Sequence, residues 1–270
     1  MKKTRVLLAG AFAAASVTCA ALAQAPEVTL TRLDCGNGNN DPRRFSDSFA
    51  YKDDKKPFTF SCYVIKHGSD TMVWDTGYLP GSVPNATNKP ITELLSQIHV
   101  KPEDVKYVGI SHFHADHTGQ LAPFTNATLL IGKGDWDGVN ANPPMGGANV
   151  KGFADYMGGS SRKVEPQSGD KDVFGDGTVM MLRAPGHTPG HSMLLVRLKE
   201  KGPVLLVGDA VHFHENYTHN GVPGFNYDRA QTLASIGRIK EIEKNLNATI
   251  IIQHDPRDIK KLPAFPQAAR

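Results

Sequence analysis

Between residues 111 and 119 the chain reads Ser-His-Phe-His-Ala-Asp-His-Thr-Gly, so that three histidines and one aspartate fall within the six positions from His112 to His117. Few features constrain a fold more tightly. An apolar run, Val105 to Ile110, leads into the motif and reads as a short buried strand opening into a loop. Neutral imidazole and carboxylate are ligands that zinc prefers, at about 2.0–2.2 Å. A tight turn points four such groups in different directions, so a single ion does not take them all. The spacing predicts two ions, with His112 and His114 facing one and Asp116 and His117 facing the other. A solvated polar loop would account for a single H-x-H, not for the whole run.

Two ions need more ligands than one loop supplies, and a recurring pattern offers them. An apolar strand ends and a metal-capable residue stands just beyond it at His112, at Asp209 after Val204–Val207, and at His254 after Ala248–Ile252; His187 follows Val179–Leu182 by a few residues. These residues converge if the strand ends share one edge of the sheets. Elsewhere the periodicity predicts a strand over Val28–Leu33, a long polar loop over Asp34–Lys56, and a hairpin of Phe58–His67 with Thr71–Trp74. It also predicts a helix over Pro90–His99, strands at Thr128–Ile131 and Ser192–Leu198, and a helix capped by Asp228 with Leu233, Ile236, Ile239, Ile242 and Leu246 on one face. Gly138–Asp170 is rich in Gly, Asn, Pro and Ser; a stretch this long without periodicity is expected to be functional or mobile. No repeat or linker divides the chain.

The first 25 residues read as a leader outside the fold. Lys2, Lys3 and Arg5 precede a small apolar run from Val6 to Ala23, and small-x-small cleavage sites end at Ala23 and Ala25, the second favoured. A retained membrane anchor is the alternative, but the run is Ala-rich and no basic stop follows it. The expected organisation is thus a removed segment, 1–25, and a single domain, 26–270, in the periplasm or secreted. Without the three leader cations, the 30 Lys and Arg fall to 27, equal to the 27 Asp and Glu. A neutral mature chain with no basic patch argues against nucleic acid or a membrane surface as partner. Cys35 and Cys62 remain, and export predicts one bridge between them, with two buried thiols as the alternative. Four Asn-x-Ser/Thr sites begin at Asn85, Asn126, Asn216 and Asn247. Asn216 falls near the expected mouth of the site, where a glycan would obstruct it, which favours a bacterial periplasm over a eukaryotic secretory route.

The H-x-H-x-D-H run, His187 within Gly-His-Thr-Pro-Gly-His, then Asp209 and His254, in this order, resembles the metallo-β-lactamase superfamily. The resemblance extends from Asp75-Thr76-Gly77 to His254. It implies an αβ/βα four-layer sandwich with two central mixed sheets and two Zn2+ ions, or other divalent metals, at one edge. His112, His114 and His187 would bind the first ion, Asp116, His117 and His254 the second, and Asp209 would bridge them. Two divalent ions against two aspartates and a hydroxide leave about one net positive charge, which favours a carbonyl oxygen becoming an oxyanion. Asp75 is expected to orient a ligand from behind, and His191 to pack or support. His67, His99 and His219 carry no signal.

Asp209 narrows the branch, because the metallo-β-lactamases proper usually carry Cys or Ser there. Cys62 to Gly68, Trp74 to Gly77, Gly208-Asp209-Ala210 and Phe225 to Asp228 look like the N-acyl homoserine lactonase branch. The implied activity is the opening of a lactone by a metal-bound hydroxide, on a small lactone or ester substrate. Asp116 and His212 are the catalytic candidates. Many members have a tyrosine three residues after the bridging aspartate; here His212 stands there, and a histidine can also donate a hydrogen bond or a proton. Tyr217 is the alternative for that role, and His214 is read as uninvolved. A metallo-β-lactamase or another ester or thioester hydrolase is the alternative activity, and a non-catalytic metal-binding protein the alternative of another class. The oligomeric state is open, a homodimer included.

Overall fold

The computed structural model describes residues 26–53, 55–84 and 86–270. The leader expected at 1–25 and the sequon at Asn85 lie outside the described residues. In chain order the chain forms β1 (Val28–Asn40), β2 (Lys56–His67), β3 (Asp70–Trp74), β4 (Thr87–Asn88) and α1 (Ile91–Gln97). Then come β5 (Tyr107–Gly109), α2 (Ala115–Thr118), β6 (Thr128–Gly132), α3 (Lys133–Asn140), β7 (Val164–Gln167) and β8 (Lys171–Asp172). The last part supplies β9 (Val179–Arg183), β10 (Ser192–Leu198), β11 (Gly202–Leu206), α4 (His214–His219), α5 (Arg229–Leu246) and β12 (Thr249–Ile251). Among these residues no helix is long and apolar enough to cross a membrane.

The strands make a seven-stranded sheet, ordered β4-β1-β2-β3-β5-β6-β7, and a five-stranded sheet, ordered β12-β11-β10-β9-β8. Both are mixed: β3, β5, β6 and β7 run parallel, as do β11 and β12, while the other pairings are antiparallel. Successive side chains in a strand point to opposite faces, and in β2, β3, β5, β6, β10 and β11 both faces are covered, so these central strands are mostly buried and apolar. Tyr63, Ile65, Met72, Trp74 and Leu130 of the first sheet meet Met181, Leu194, Val196 and Leu206 of the second. The alternate residues Val64, Val73 and Leu129 pack under Ile91, Leu94 and Leu95 of α1. Met193, Leu195 and Leu205 pack under Ile236 and Ile239 of α5. The order helix, sheet, sheet, helix is the four-layer αβ/βα sandwich that the motifs imply.

The long polar loop expected over Asp34–Lys56 is shorter than its Gly and Asn content predicts, with only residues 41–55 left between the strands. β1 continues to Asn40 and pairs with β2 as far as Lys56, with one register irregularity between Asp34 and Gly36. The positive φ of Gly36 and the absence of a Cβ there let Thr87 of β4 close over it. Gly138–Asp170 is likewise more regular than its composition suggests, holding the end of α3 and all of β7. Cys35 and Cys62 are joined as a disulfide across β1 and β2. Asn216, with 2% exposure, is no glycan acceptor in this fold: its side-chain amide donates to the Phe45 carbonyl and its oxygen accepts from the Tyr51 hydroxyl.

Candidate metal centre

β3, β5, β9, β11 and β12 all end at one edge of the sandwich, and each is followed by residues of the site. Asp75 comes directly after β3, His112 three residues after β5 and His187 four after β9, while Asp209 and His254 each lie three beyond β11 and β12. The seven sequence candidates fall into two groups that share Asp209: His112, His114, His187 and Asp209, and Asp116, His117, Asp209 and His254. Within each group the donor atoms lie within 4.8 Å of one another. Asp209 Oδ2 stands 3.5 Å from His187 Nε2 and 3.6 Å from His112 Nε2. Its Oδ1 stands 2.8 Å from His254 Nε2 and 3.3 Å from His117 Nε2. One oxygen thus serves each group.

Each ring's rear partner determines what its inner nitrogen carries. His117 Nδ1 donates to Asp75 Oδ2 at 2.9 Å, and His254 Nδ1 donates to the Thr59 carbonyl at 2.8 Å. Carboxylates and carbonyls only accept, so each ring keeps a proton at the back and turns its Nε2 inward toward the shared aspartate. Those two nitrogens and Asp209 Oδ1 are buried without a hydrogen-bond partner. In the first group His112 Nε2 and His187 Nε2 lie 2.9 and 3.1 Å from His114 Nδ1. Three ring nitrogens converging this closely are placed to share one cation, and the unpaired buried atoms of the second group are costly without one. The donor set therefore fits two divalent ions.

Electrostatics point the same way. Burial pushes His112 and His187 well below the usual imidazole range and lowers His114, keeping the three rings neutral as ligands must be. Burial opposes charge on His117 too, but Asp116, Asp209 and Asp75 together raise it well above that range. Three carboxylates around one ring hold a place for positive charge. Despite burial, the surrounding histidines keep Asp209 well below the usual carboxylate range.

The supports behind the ligands were only partly foreseen. Asp75, expected to orient a ligand, accepts from the Ser111 backbone N–H at 2.7 Å as well as from His117. It holds a left-handed backbone, φ 57°, at the end of β3. Gln253 donates to the same carboxylate at 2.9 Å, a role its place before His254 did not reveal. His191 is a support: its Nδ1 donates to the Ala184 carbonyl, and its Nε2 accepts from the Asp209 backbone N–H at 2.9 Å. Burial pulls its pKa down to about 4, which keeps that acceptor free. Gly208, at φ 55°, is needed beside it, since a Cβ there would stand 2.7 Å from His191 Nε2. Asn226, inside the Phe225 to Asp228 stretch but given no role there, faces His187 Nδ1 at 3.3 Å with its oxygen, while its amide donates to the Gly186 carbonyl.

A cavity of about 450 Å³ opens onto Asp116 and Asp209, walled by Arg44, Phe45, Tyr78, His212 and Phe225. His212 is buried, with Nε2 3.1 Å from Asp209 Oδ2. Tyr217, the alternative to His212, lies elsewhere: its hydroxyl donates to Glu243 of α5. His214 is turned away onto Asp258, at 2.6 Å.

A profile of the metallo-beta-lactamase superfamily matches residues 57–254. N-acyl homoserine lactonase AttM of Rhizobium radiobacter is 34% identical over 169 residues, 61% of this chain and 64% of that protein. The match thus spans a little under two thirds of that relative's length. N-acyl homoserine lactonase AiiA of Bacillus thuringiensis subsp. kurstaki is 27% identical over 227 residues, 76% of this chain and 85% of its own. A crystal structure of a quorum-quenching N-acyl homoserine lactone lactonase superposes with a TM-score of 0.78 at 25% identity, over 91% of this chain and 99% of that one. The profile runs from β2 to the last histidine of the donor set, and the four layers superpose almost end to end: the chain belongs to the metallo-β-lactamase superfamily.

Proposed function

We propose that the protein is an exported dinuclear zinc hydrolase that opens the ring of a lactone of the N-acyl homoserine lactone type. The observation that carries this reading is the shared Asp209, with one oxygen for each donor group and a buried histidine beside it on the cavity wall. The relatives named as N-acyl homoserine lactonases support the substrate class. Two divalent ions held there would supply Lewis acidity and a water whose pKa falls toward ~7.

The chain's own residues do the rest. Asp209 fixes the separation of the two donor groups, and His191 holds its backbone. Asp116, with 14% of its side chain exposed, opens onto the cavity and serves as proton acceptor. His212 donates a hydrogen bond to the carbonyl oxygen as charge develops on it. Phe45 and Phe225 pack edge to face, with ring centroids 5.5 Å apart, and keep water from that side of His212. The test is a hydrolysis panel: acyl homoserine lactones of several chain lengths, simple lactones, aryl esters, β-lactams and a glutathione thioester. Acyl homoserine lactones should give the highest kcat/KM. Turnover of a β-lactam far above every lactone would refute the substrate assignment.

A further inference from the structure

The two donor groups are braced from different places. Behind the Asp116, His117 and His254 group stand Asp75, Gln253 and the Thr59 carbonyl. Behind the other group stands a carboxylate that no motif includes. Asp135, in the first turn of α3, is completely buried. Its Oδ2 accepts from the Phe113 backbone N–H at 3.0 Å and from the Thr188 hydroxyl at 2.8 Å. Its Oδ1 accepts from the Gly190 backbone N–H at 2.6 Å. No cation pairs with it among the described residues, so three hydrogen bonds carry the whole compensation for a buried carboxylate.

Those three donors are not scattered. Phe113 lies between His112 and His114. Thr188 follows His187. Gly190 precedes His191, which holds the backbone of Asp209. The side chain therefore joins the two loops that bring all three histidines of the first group to one point. The local sequence is built for this approach. A Cβ on Gly132 would collide with the Gly190 carbonyl oxygen, and one on Gly134 would stand 2.8 Å from the Pro189 carbonyl oxygen. The start of α3 thus lies directly on the His187 loop, backbone against backbone.

We propose that Asp135 is the positioning residue of the His112, His114 and His187 site, setting the affinity of that ion and leaving the other to the Asp75 brace. The proposal rests on the reading of the two groups as metal sites but not on any substrate. Asp135→Asn keeps the volume and replaces one accepting oxygen by an amide NH2. Whichever oxygen is lost, at least one of the three donors is left facing a donor.

Co2+ titration against a competing chelator tests it, with the three-imidazole site and the carboxylate-bearing site followed by their separate ligand-field bands. Loss of a side chain that orients metal ligands typically costs 10–100-fold in affinity. For Asp135→Asn we expect the Kd of the three-histidine site to rise by about that factor, 10–100-fold, and that of the other site to hold. Equal weakening of both sites, or of neither, would overturn the proposal. Should Asp135→Asn fail to fold, Thr188→Val removes a single donor from the clamp. It is expected to weaken the same site alone, and unchanged affinity at that site would be decisive against the proposal. Asp137→Asn, which touches only the exposed Lys133 on the same helix, should behave as wild type; a loss equal to that of Asp135→Asn would also overturn it.

Discussion

His254 shows how a single residue is made into a ligand. Its Nδ1 proton is committed to the Thr59 carbonyl, Phe58 stacks on its ring with centroids 4.0 Å apart, and Nε2 is left bare toward Asp209. Neither neighbour is recognisable as part of a site in the sequence. The ligands themselves were legible because chemistry restricts them to His and Asp at strand ends. Of their supports Asp75 and His191 were legible beside the motifs, but the Thr59 carbonyl, Gln253 and Asn226 were not, because a backbone carbonyl or an amide can do that work from anywhere. His212 lies between these cases. Its place three residues after Asp209 marked it, and only the fold shows that the Tyr217 hydroxyl is instead held by Glu243. His212→Phe keeps the ring's bulk and its packing on Phe45 but removes the donor. Loss of one oxyanion donor typically lowers kcat by about 10²–10³. Two ions would share the load here, so a fall of about 10–100-fold is expected. The check is steady-state kinetics on a lactone alongside metal analysis. Metal content should stay at the wild-type level; an unchanged kcat would remove His212 from the reaction.

The elements that carry the site are those whose pattern reads most clearly, since a strand buried on both faces is a short apolar run and its end is marked by polarity. α4 carries no helical signal in the sequence, because His214 to His219 has no apolar stripe. Charge holds it instead. The His214 backbone N–H donates to Asp255, the neighbour of His254, and Arg257 grips Glu215 through both guanidinium nitrogens at 3.0 and 2.8 Å. Lys56 of β2 reaches the same carboxylate at 3.1 Å. Burial would raise the Glu215 carboxyl, but the hydrogen bonds from Arg257 and Lys56 outweigh it and hold it down to about 2. A folded value below the unfolded one, about 4.3 for Glu, means stability that is fully present above the unfolded value and lost as pH falls through the folded one. Glu215→Gln should therefore be less stable than wild type at pH 7, by an amount that shrinks between about pH 4.5 and 2. Urea unfolding of both metal-free proteins across that range measures it. A gap that stays constant with pH would mean that the Glu215 charge contributes nothing.

At the scale of the whole molecule, the metal edge depends on a region far from any ligand in sequence. The Cys35–Cys62 disulfide closes a separation of 27 residues and ties β1 to β2. It also lies under the turn that begins at Asp75: a Cβ on Gly77 would stand 3.0 Å from Cys35 Cβ and 3.4 Å from Cys62 Sγ. The brace of the His117 site is thus seated on the disulfide. Closing a loop of this length stabilises the native state by about 3.5 kcal/mol in the chain-entropy account. The bridge persists only where the compartment is oxidising, which links it to the leader read in residues 1–25. The two expectations can be checked in one sample of protein expressed from the full sequence and recovered from the cell envelope. Its intact mass should correspond to a chain beginning at Pro26, and alkylation under denaturing conditions without reductant should find no free thiol. After reduction both cysteines should be modified, and the unfolding free energy should fall by about 2–4 kcal/mol. A retained leader in the intact mass would refute processing after Ala25. Two free thiols in that material would refute the bridge, and Asp75 would then hold its turn without covalent support.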